Sequence, residues 1–395
     1  MRICFPFIAQ IHQTFHALPL ALEISRRHPG VEVHVACGAH SDLAWIRKLA
    51  AAYDPQCSVQ FEELPLPPAL RPLFADRKMA PKVLTLLSNL GYLRQFDALV
   101  MPERTTLRFR RLLPRTKFIW TRHGAGDRAS GFEKEIARFD FVLMAGNKIE
   151  QRLLQKGLIR EGHYATGVYA KFDLVRRLES PPLLDCNRQT VIYNPHFSSA
   201  LSSWPLVGRQ VLDQFAAGDR YNLVFAPHIR LFFAAGEGRY AEFERYRANP
   251  HMLIDLGSPA LADMTYTRGA DIYLGDVSSQ VAEFLALRTR PCVFLNPRRT
   301  SWQANPNYRF WELGQVIDDI RDLPAAITAA PQMQPQFEAR QRQYVAETFG
   351  DLSRPSAPAG ADAICNFLEE SLAGTRTAPA SVSLAPTRSS PVASH

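Results

Sequence analysis

Four short stretches of the sequence carry side chains able to do chemistry. The first is Leu274-Gly275-Asp276-Val277-Ser278-Ser279, which runs into Gln280-Val281-Ala282-Glu283-Phe284. An apolar run ends at Leu274 and a helical pattern begins after the serines. A helix N-terminus presents free amide donors and the positive end of the macrodipole, so it attracts phosphate. Ser278 and Ser279 would add hydroxyl donors there, and Glu283, one turn in, would reach ribose or polyol hydroxyls. The same residues also read as a plain capped turn, with Asp276 shaping it, because Ser and Asp favour such positions. The second stretch is Trp120-Thr121-Arg122-His123-Gly124. A histidine titrates near neutrality and Gly124 leaves room for close approach, so His123 is a candidate general base; a packed, backbone-bonded histidine is the plainer alternative. The third, Phe225-Ala226-Pro227-His228-Ile229-Arg230, places an imidazole beside a guanidinium, a pair suited to phosphate. The fourth, Tyr193-Asn194-Pro195-His196, offers His196 and is expected to border the same pocket, as is Asp276. His12 and His16 are spaced i, i+4, which would also suit a metal, but no third ligand is evident. No metal and no cofactor are expected, and His12 is read as an acceptor contact.

The elements that must position these residues repeat one rhythm: an apolar run, a turn, a helical pattern. Residues 3–9, 31–37, 98–101, 118–120 and 139–145 read as strands, with helices at 15–27, 41–53, 78–93 and 148–156. The pattern restarts with strands at 191–193, 222–225, 252–254, 271–274 and 292–295 and helices at 206–215, 240–247, 260–267 and 280–287. Near-continuous apolar runs are those of strands buried on both faces. Alternating strands and helices imply parallel sheets covered by helices, so the fold class is α/β with two doubly wound, Rossmann-like domains facing a cleft. The expected division is 1–178, 188–350, a C-terminal helix at 351–372 and a disordered tail from 373 to 395 that is rich in Ala, Ser, Thr and Pro. Pro331 and Pro335 suggest a second junction. Ligands of such sheets bind beyond the carboxyl ends of the strands, which is where all four stretches fall.

Composition narrows the class further. The chain has 395 residues, is 46% hydrophobic and 21% charged, and carries a formal charge of +8. Excess base suits phosphate-bearing ligands or an anionic membrane. Nucleic acid is not an expected partner, since no zinc-finger spacing, RNP-type aromatic motif or dense basic run is present. The six cysteines are scattered without a C-x-x-C pair, which fits a reducing compartment. No leader peptide and no membrane-length apolar run are read, so the expected location is cytoplasmic, with peripheral contact to the inner face of the cell membrane. Two basic, apolar patches would make that contact: one around Lys78, Lys82 and Arg94, the other from Arg108 to Arg115.

The serine motif with its flanks, Asp255-Leu256-Gly257-Ser258-Pro259 before it and Arg290-Pro291-Cys292-Val293-Phe294 after it, resembles the signature of the CDP-glycerol glycerophosphotransferase family of teichoic-acid-type polymerases and primases. Trp120-Thr121-Arg122-His123-Gly124 is similar to that family's His-Gly element, and Phe225-Ala226-Pro227-His228 to its second histidine element. The resemblance covers most of residues 1–350 and implies a GT-B-like transferase. Its donor would be CDP-glycerol or a similar nucleotide-activated compound, and its acceptor a glycan or lipid-linked hydroxyl. It implies the same base role for His123. His228, the second expected catalytic residue, is read as contacting the donor phosphates with Arg230, and Ser278 and Ser279 as holding the distal phosphate. The sequence departs from the family in two places. Glu283 stands where the family more often has Asp, and Ala125-Gly126-Asp127-Arg128 follows His-Gly where the family has Thr-Pro and a lysine, so the basic role passes to Arg128 or Arg122. A UDP- or GDP-sugar glycosyltransferase, a nucleotide-sugar 2-epimerase and a non-catalytic binding protein on the same fold are the alternatives.

Overall fold

The computed structural model describes residues 1–38, 40–74, 81–126, 131–184, 187–232 and 237–376. The first lobe contains β1 (Arg2–Phe7), α1 (Thr14–Arg27), β2 (Glu32–Cys37), α2 (His40–Tyr53), β3 (Gln60–Glu63), α3 (Lys82–Ser88), α4 (Leu90–Leu93), β4 (Ala98–Met101), β5 (Lys117–Thr121), β6 (Phe141–Leu143), α5 (Asn147–Gln155), β7 (Tyr164–Ala165) and α6 (Lys171–Val175). Its seven strands pair in parallel in the order β3-β2-β1-β4-β5-β6-β7. The second lobe contains β8 (Thr190–Asn194), α7 (Arg209–Ala217), β9 (Asn222–Phe225), α8 (Glu244–Arg247), β10 (Met252–Ile254), α9 (Thr265–Gly269), β11 (Ile272–Gly275), α10 (Gln280–Leu287), β12 (Cys292–Leu295) and β13 (Gln315–Ile317). Six parallel strands run in the order β10-β9-β8-β11-β12-β13. Both orders reverse direction beside the first strand of the lobe, so each sheet has its switch point at β1 or β8 and opens a crevice there.

Central strands such as ALVM (β4), NLVF (β9) and CVFL (β12) are buried throughout, as their unbroken apolar runs require. The edge strands β3, β7 and β13 were not anticipated. They are two to four residues long and half polar or half exposed, so they carry little pattern. The helix expected over 78–93 divides at Asn89, whose side-chain amide donates to the carbonyls of Thr85 (2.8 Å) and Pro65 (3.0 Å) and so competes with the helical ladder; Lys78 lies outside the described residues.

Two long helices close the chain, and here expectation fails most clearly. Pro331 and Pro335 mark no junction: both lie inside α11 (Leu323–Phe349). Each proline forfeits a ladder bond, a cost of about 3 kcal/mol in a helix interior. Their spacing of four puts both on the less buried side, while Leu323, Ala326, Ile327, Ala330, Tyr344 and Phe349 bury the other against the second lobe and the hinge. The last helix, α12 (Ala357–Arg376), extends past the expected start of the tail, and residues 377–395 lie outside the described residues.

Both helices return to the first lobe. Lys148 Nζ of α5 donates to Thr348 Oγ1 of α11 at 2.8 Å. Asp173 accepts from the backbone N–H of Ser356 at 2.8 Å and of Ala357, capping α12, which packs along α1. Gly146 precedes α5 where a Cβ would stand 2.6 Å from the Thr348 carbonyl oxygen. Backbone cannot yield as a flexible side chain does, so Gly146→Ala is expected to cost about 1–3 kcal/mol. A melting temperature within a degree of wild type would contradict this close approach.

Candidate active site

The strand ends of the two lobes face one another across a cleft of about 270 Å³. The first-lobe wall comes from the turn after β1 (Gln10, His12, Gln13, His16), the turn after β5 (Arg122, His123, Gly124, Gly126) and Lys171 of α6. The second-lobe wall comes from Phe197, from the turn after β9 (His228, Ile229, Arg230), from Leu261 and Ala262, and from the start of α10 (Ser279, Gln280, Glu283).

His123 is held in one tautomer. Its Nδ1 lies 2.6 Å from the Pro102 carbonyl oxygen, which can only accept, so Nδ1 carries the proton and Nε2 carries the lone pair. Gln13 Nε2, 3.3 Å away, donates to it. Burial, reinforced by the charges of Arg122, Arg104 and Lys82 against the opposing Pro102 bond, depresses the His123 pKa to about 4. His12 and His16, with ring centroids 6.0 and 6.2 Å from that of His123, are also pushed well down, chiefly by burial and then by neighbouring imidazoles and Lys171. The first-lobe wall therefore presents neutral imidazoles at neutral pH. His12 Nδ1 and Gln13 Oε1 are buried and make no hydrogen bond within the protein. Gly124 adopts φ +75°, in the left-handed region that favours glycine. At Gly126 a Cβ would lie 2.8 Å from Ser279 Cβ, so the lobes meet at this point.

Arg122 is anchored away from free solvent: Nη1 donates to the Gly131 carbonyl at 2.6 Å, and the guanidinium lies 4.4 Å from the Phe132 ring centroid. Burial lowers its pKa to about 10, which leaves it charged. Arg128 lies outside the described residues.

The second lobe separates residues that the sequence groups together. Ser279 lines the cleft; Ser278, expected to bind phosphate beside it, does not. Its side chain is buried, donates to Asn194 Oδ1 at 3.1 Å and accepts from the Gln280 N–H at 3.3 Å. It serves one of the orphan amides of the first turn of α10, the plainer of the two readings. Asp276 is likewise not a pocket residue. It is 1% exposed and accepts from the N–H of His196 (2.9 Å), the N–H of Ser203 (2.6 Å) and the hydroxyl of Ser203 (2.9 Å). Burial raises its pKa to about 6 against these bonds. His196 also stays outside the cleft. It is fully buried, its Nδ1 accepts from the Ser198 N–H at 3.0 Å, and its ring stands 5.7 Å behind that of His228.

His228 lies in the wall, and its Nδ1 accepts from the Arg230 N–H at 3.2 Å. A neutral ring accepting at Nδ1 carries its proton on Nε2, the complement of His123. The exposed Arg230 guanidinium lies 4.1 Å from the Phe197 ring centroid, at the mouth of the cleft. Glu283 lines the cleft as expected, but it is engaged across the lobes: Tyr169 donates its hydroxyl at 2.6 Å and Lys171 its ammonium at 2.7 Å. Sequence reasoning missed Tyr169, Lys171, Gln13 and Gln280. The one available signal was a lysine within the apolar run Tyr169-Ala170-Lys171-Phe172. Among the described residues, no three His, Cys, Asp or Glu side chains are grouped to hold a metal.

Two doubly wound parallel lobes facing across a cleft define the GT-B arrangement. No family model matches this sequence, and no curated protein matches it. Solved structures match nearly the whole chain. The wall teichoic acid polymerase TagF is 13% identical, covers 94% of this chain and 90% of its own, and superposes with a TM-score of 0.62. The UDP-GlcNAc 2-epimerase from Neisseria meningitidis is 11% identical, covering 93% of this chain and 100% of its own at a TM-score of 0.60. MnaA from S. aureus is 11% identical, covering 96% and 98% at 0.61. The motif resemblance thus extends to fold, and at these identities the likeness is one of fold.

The depressed His123 pKa has a measurable consequence. By NMR, its imidazole is expected to stay neutral until about pH 4 in the free protein; a midpoint near 6.5 would mean that the ring is solvated. Because the folded value lies below the unfolded value, the stability from keeping this ring neutral is fully present above pH 6.5. It is lost as pH falls toward 4, so His123→Gln should flatten acid destabilisation in that window.

Proposed function

We propose that the protein transfers glycerol phosphate, or a related polyol phosphate, from a CDP-activated donor to a hydroxyl of a glycan or lipid-linked acceptor. The observation that carries this reading is the opposition of complementary groups across one cleft: a lone-pair Nε2 on His123, and the α10 start at Ser279 and Gln280 with His228 and Arg230 facing it. Structures of this fold include TagF soaked with CDPG, a UDP-GlcNAc 2-epimerase bound to UDP-GlcNAc and MnaA with UDP, which supports a nucleotide-activated donor.

The chemistry balances with these groups alone. The acceptor oxygen attacks the phosphorus of the polyol phosphate and a new P–O bond forms. The bond from that phosphorus to the bridging oxygen breaks, and CMP leaves with the electron pair. The acceptor proton passes to His123 Nε2. Amide donors at the start of α10, the Ser279 hydroxyl, the His228 Nε2–H and Arg230 stabilise the charge on the departing phosphate. A neutral base with a low pKa is weak by itself. A bound diphosphate supplies the nearby negative charge that raises its proton affinity, so the base is tuned when the donor arrives.

His123→Ala should lower turnover by roughly 10²–10⁴-fold with donor affinity nearly kept. Ser279→Ala should instead raise the donor's dissociation constant. A panel of CDP-glycerol, CDP-ribitol and UDP-sugars assigns the donor. The fold likeness to UDP-GlcNAc 2-epimerases makes UDP-sugars the second donor class, and turnover of UDP-sugars alone would replace the present reading.

The acceptor would be met at a surface. Among the described residues, no helix is long and apolar enough to cross a membrane. On the first lobe, Leu73, Val83, Leu87 and Leu112 are exposed beside exposed Arg71, Arg94, Arg108, Arg111 and Arg115. This mixture supports peripheral contact with an anionic bilayer. Flotation with phosphatidylglycerol vesicles at low salt should carry the wild type, and the double variant Val83→Asp, Leu87→Asp should stay behind; equal behaviour of the two removes the membrane from the account.

A further inference from the structure

The cross-lobe contact at Glu283 is not explained by stability alone. Lys171 and Glu283 are 6% and 8% exposed, yet both line the cleft. Burying an ion pair is costly unless its geometry is good and the remaining lone pairs are satisfied. Here each carboxylate oxygen takes one short donor, Tyr169 on Oε1 at 2.6 Å and Lys171 on Oε2 at 2.7 Å. A carboxylate accepts about four hydrogen bonds, so acceptor capacity remains. The carboxylate comes from the second lobe and both of its donors from the first, from the segment that enters α6.

Position along α10 says what that capacity is for. Ser279 and Gln280 present the helix start, the phosphate site of the nucleotide-donor reading, and Glu283 lies one turn further in. Beside it Ile192, Ala226, Leu261, Met264 and Tyr266 border a recess of only about 10 Å³, too small for a base, so a ligand at the helix start stays on the cleft side of Glu283. In a nucleotide the ribose is the next group along from the phosphate, so with phosphate at the start of α10 its vicinal diol would come within reach of Glu283.

We propose that Tyr169 and Lys171 are positioning residues for Glu283, fixing its carboxylate as the acceptor for the donor's ribose diol only while the two lobes are docked. This rests on the nucleotide-donor reading and adds a coupling to it: the first lobe, which supplies the base, also completes sugar recognition in the second. A donor bound to an open molecule would be gripped by its phosphates and left unread at its ribose.

The experiment is titration calorimetry with CMP and UMP and their 2′-deoxy forms. Wild type should prefer a ribonucleotide by about tenfold or more, the scale of a hydrogen bond to a charged group. Glu283→Gln, Lys171→Met and the milder Tyr169→Phe should bring the preference close to one while leaving 2′-deoxynucleotide affinity within a few-fold; Lys171→Arg should restore it. Melting curves identify the folded variants, and Tyr169→Phe carries the test if Lys171→Met does not fold. An unchanged preference in folded variants, or no preference in wild type, overturns the proposal. Equal weakening of both forms by Lys171→Met also overturns it and makes the lysine a phosphate ligand. Failure of every nucleotide to bind wild type is a different result, and it overturns the donor reading beneath.

Discussion

A carboxylate buried at the end of β11 holds the working edge of the second lobe together. Asp276 gathers donors from residues 196–203, and its own carbonyl accepts from Trp311 Nε1 at 3.0 Å. The loop leaving β8 is thereby fixed to the turn that starts α10. Removing one side of such a network leaves buried donors unsatisfied, at about 1–3 kcal/mol each. Within this frame Ser278 turns inward to Asn194, and its neighbour Ser279 turns outward to the cleft. Two adjacent, chemically identical residues acquire different work because one local geometry is locked.

Charge in the cleft follows from burial more than from residue count. Three imidazoles on the first-lobe wall are kept neutral by desolvation and by cations beside them. Arg122 stays cationic because its guanidinium is hydrogen-bonded and stacked. Neutral imidazoles beside the fixed Arg122 guanidinium suit an anionic ligand.

The lobes are not joined by a simple linker. After β13 the chain runs through α11, which reaches α5 of the first lobe, and returns in α12 to pack on α1. Arg268 of the second lobe donates to the carbonyls of Val175 (2.9 Å) and Leu178 (3.2 Å) on the first-lobe side. With the Glu283 contacts and the Gly126–Ser279 approach, this makes the cleft a product of docking, and relative movement of the lobes would act on several wall residues at once.

Local chemistry sufficed for the fold class and for finding the working loops. Buried parallel strands need unbroken apolar runs, and loops at their carboxyl ends face the cleft, so the cleft-lining positions of His123, His228, Ser279 and Glu283 were legible from pattern and spacing. The roles within each loop were not. Ser278 left the cleft because a capping hydroxyl and a ligand-binding hydroxyl have the same sequence signature, Asp276 kept the turn-shaping role and not the pocket one, and His196 is buried because burial depends on what packs over it. Lys171 and Tyr169 lie 112 and 114 residues from Glu283, a separation that no periodicity spans. Pro331 and Pro335 read as breakers because local propensity was all the sequence offered, whereas packing along the rest of α11 outweighs it. Sequence by itself determined which strands and turns exist, through short-range sterics and apolar periodicity. Only the tertiary structure decided which polar atoms face the cleft, because that depends on partners brought together from distant parts of the chain.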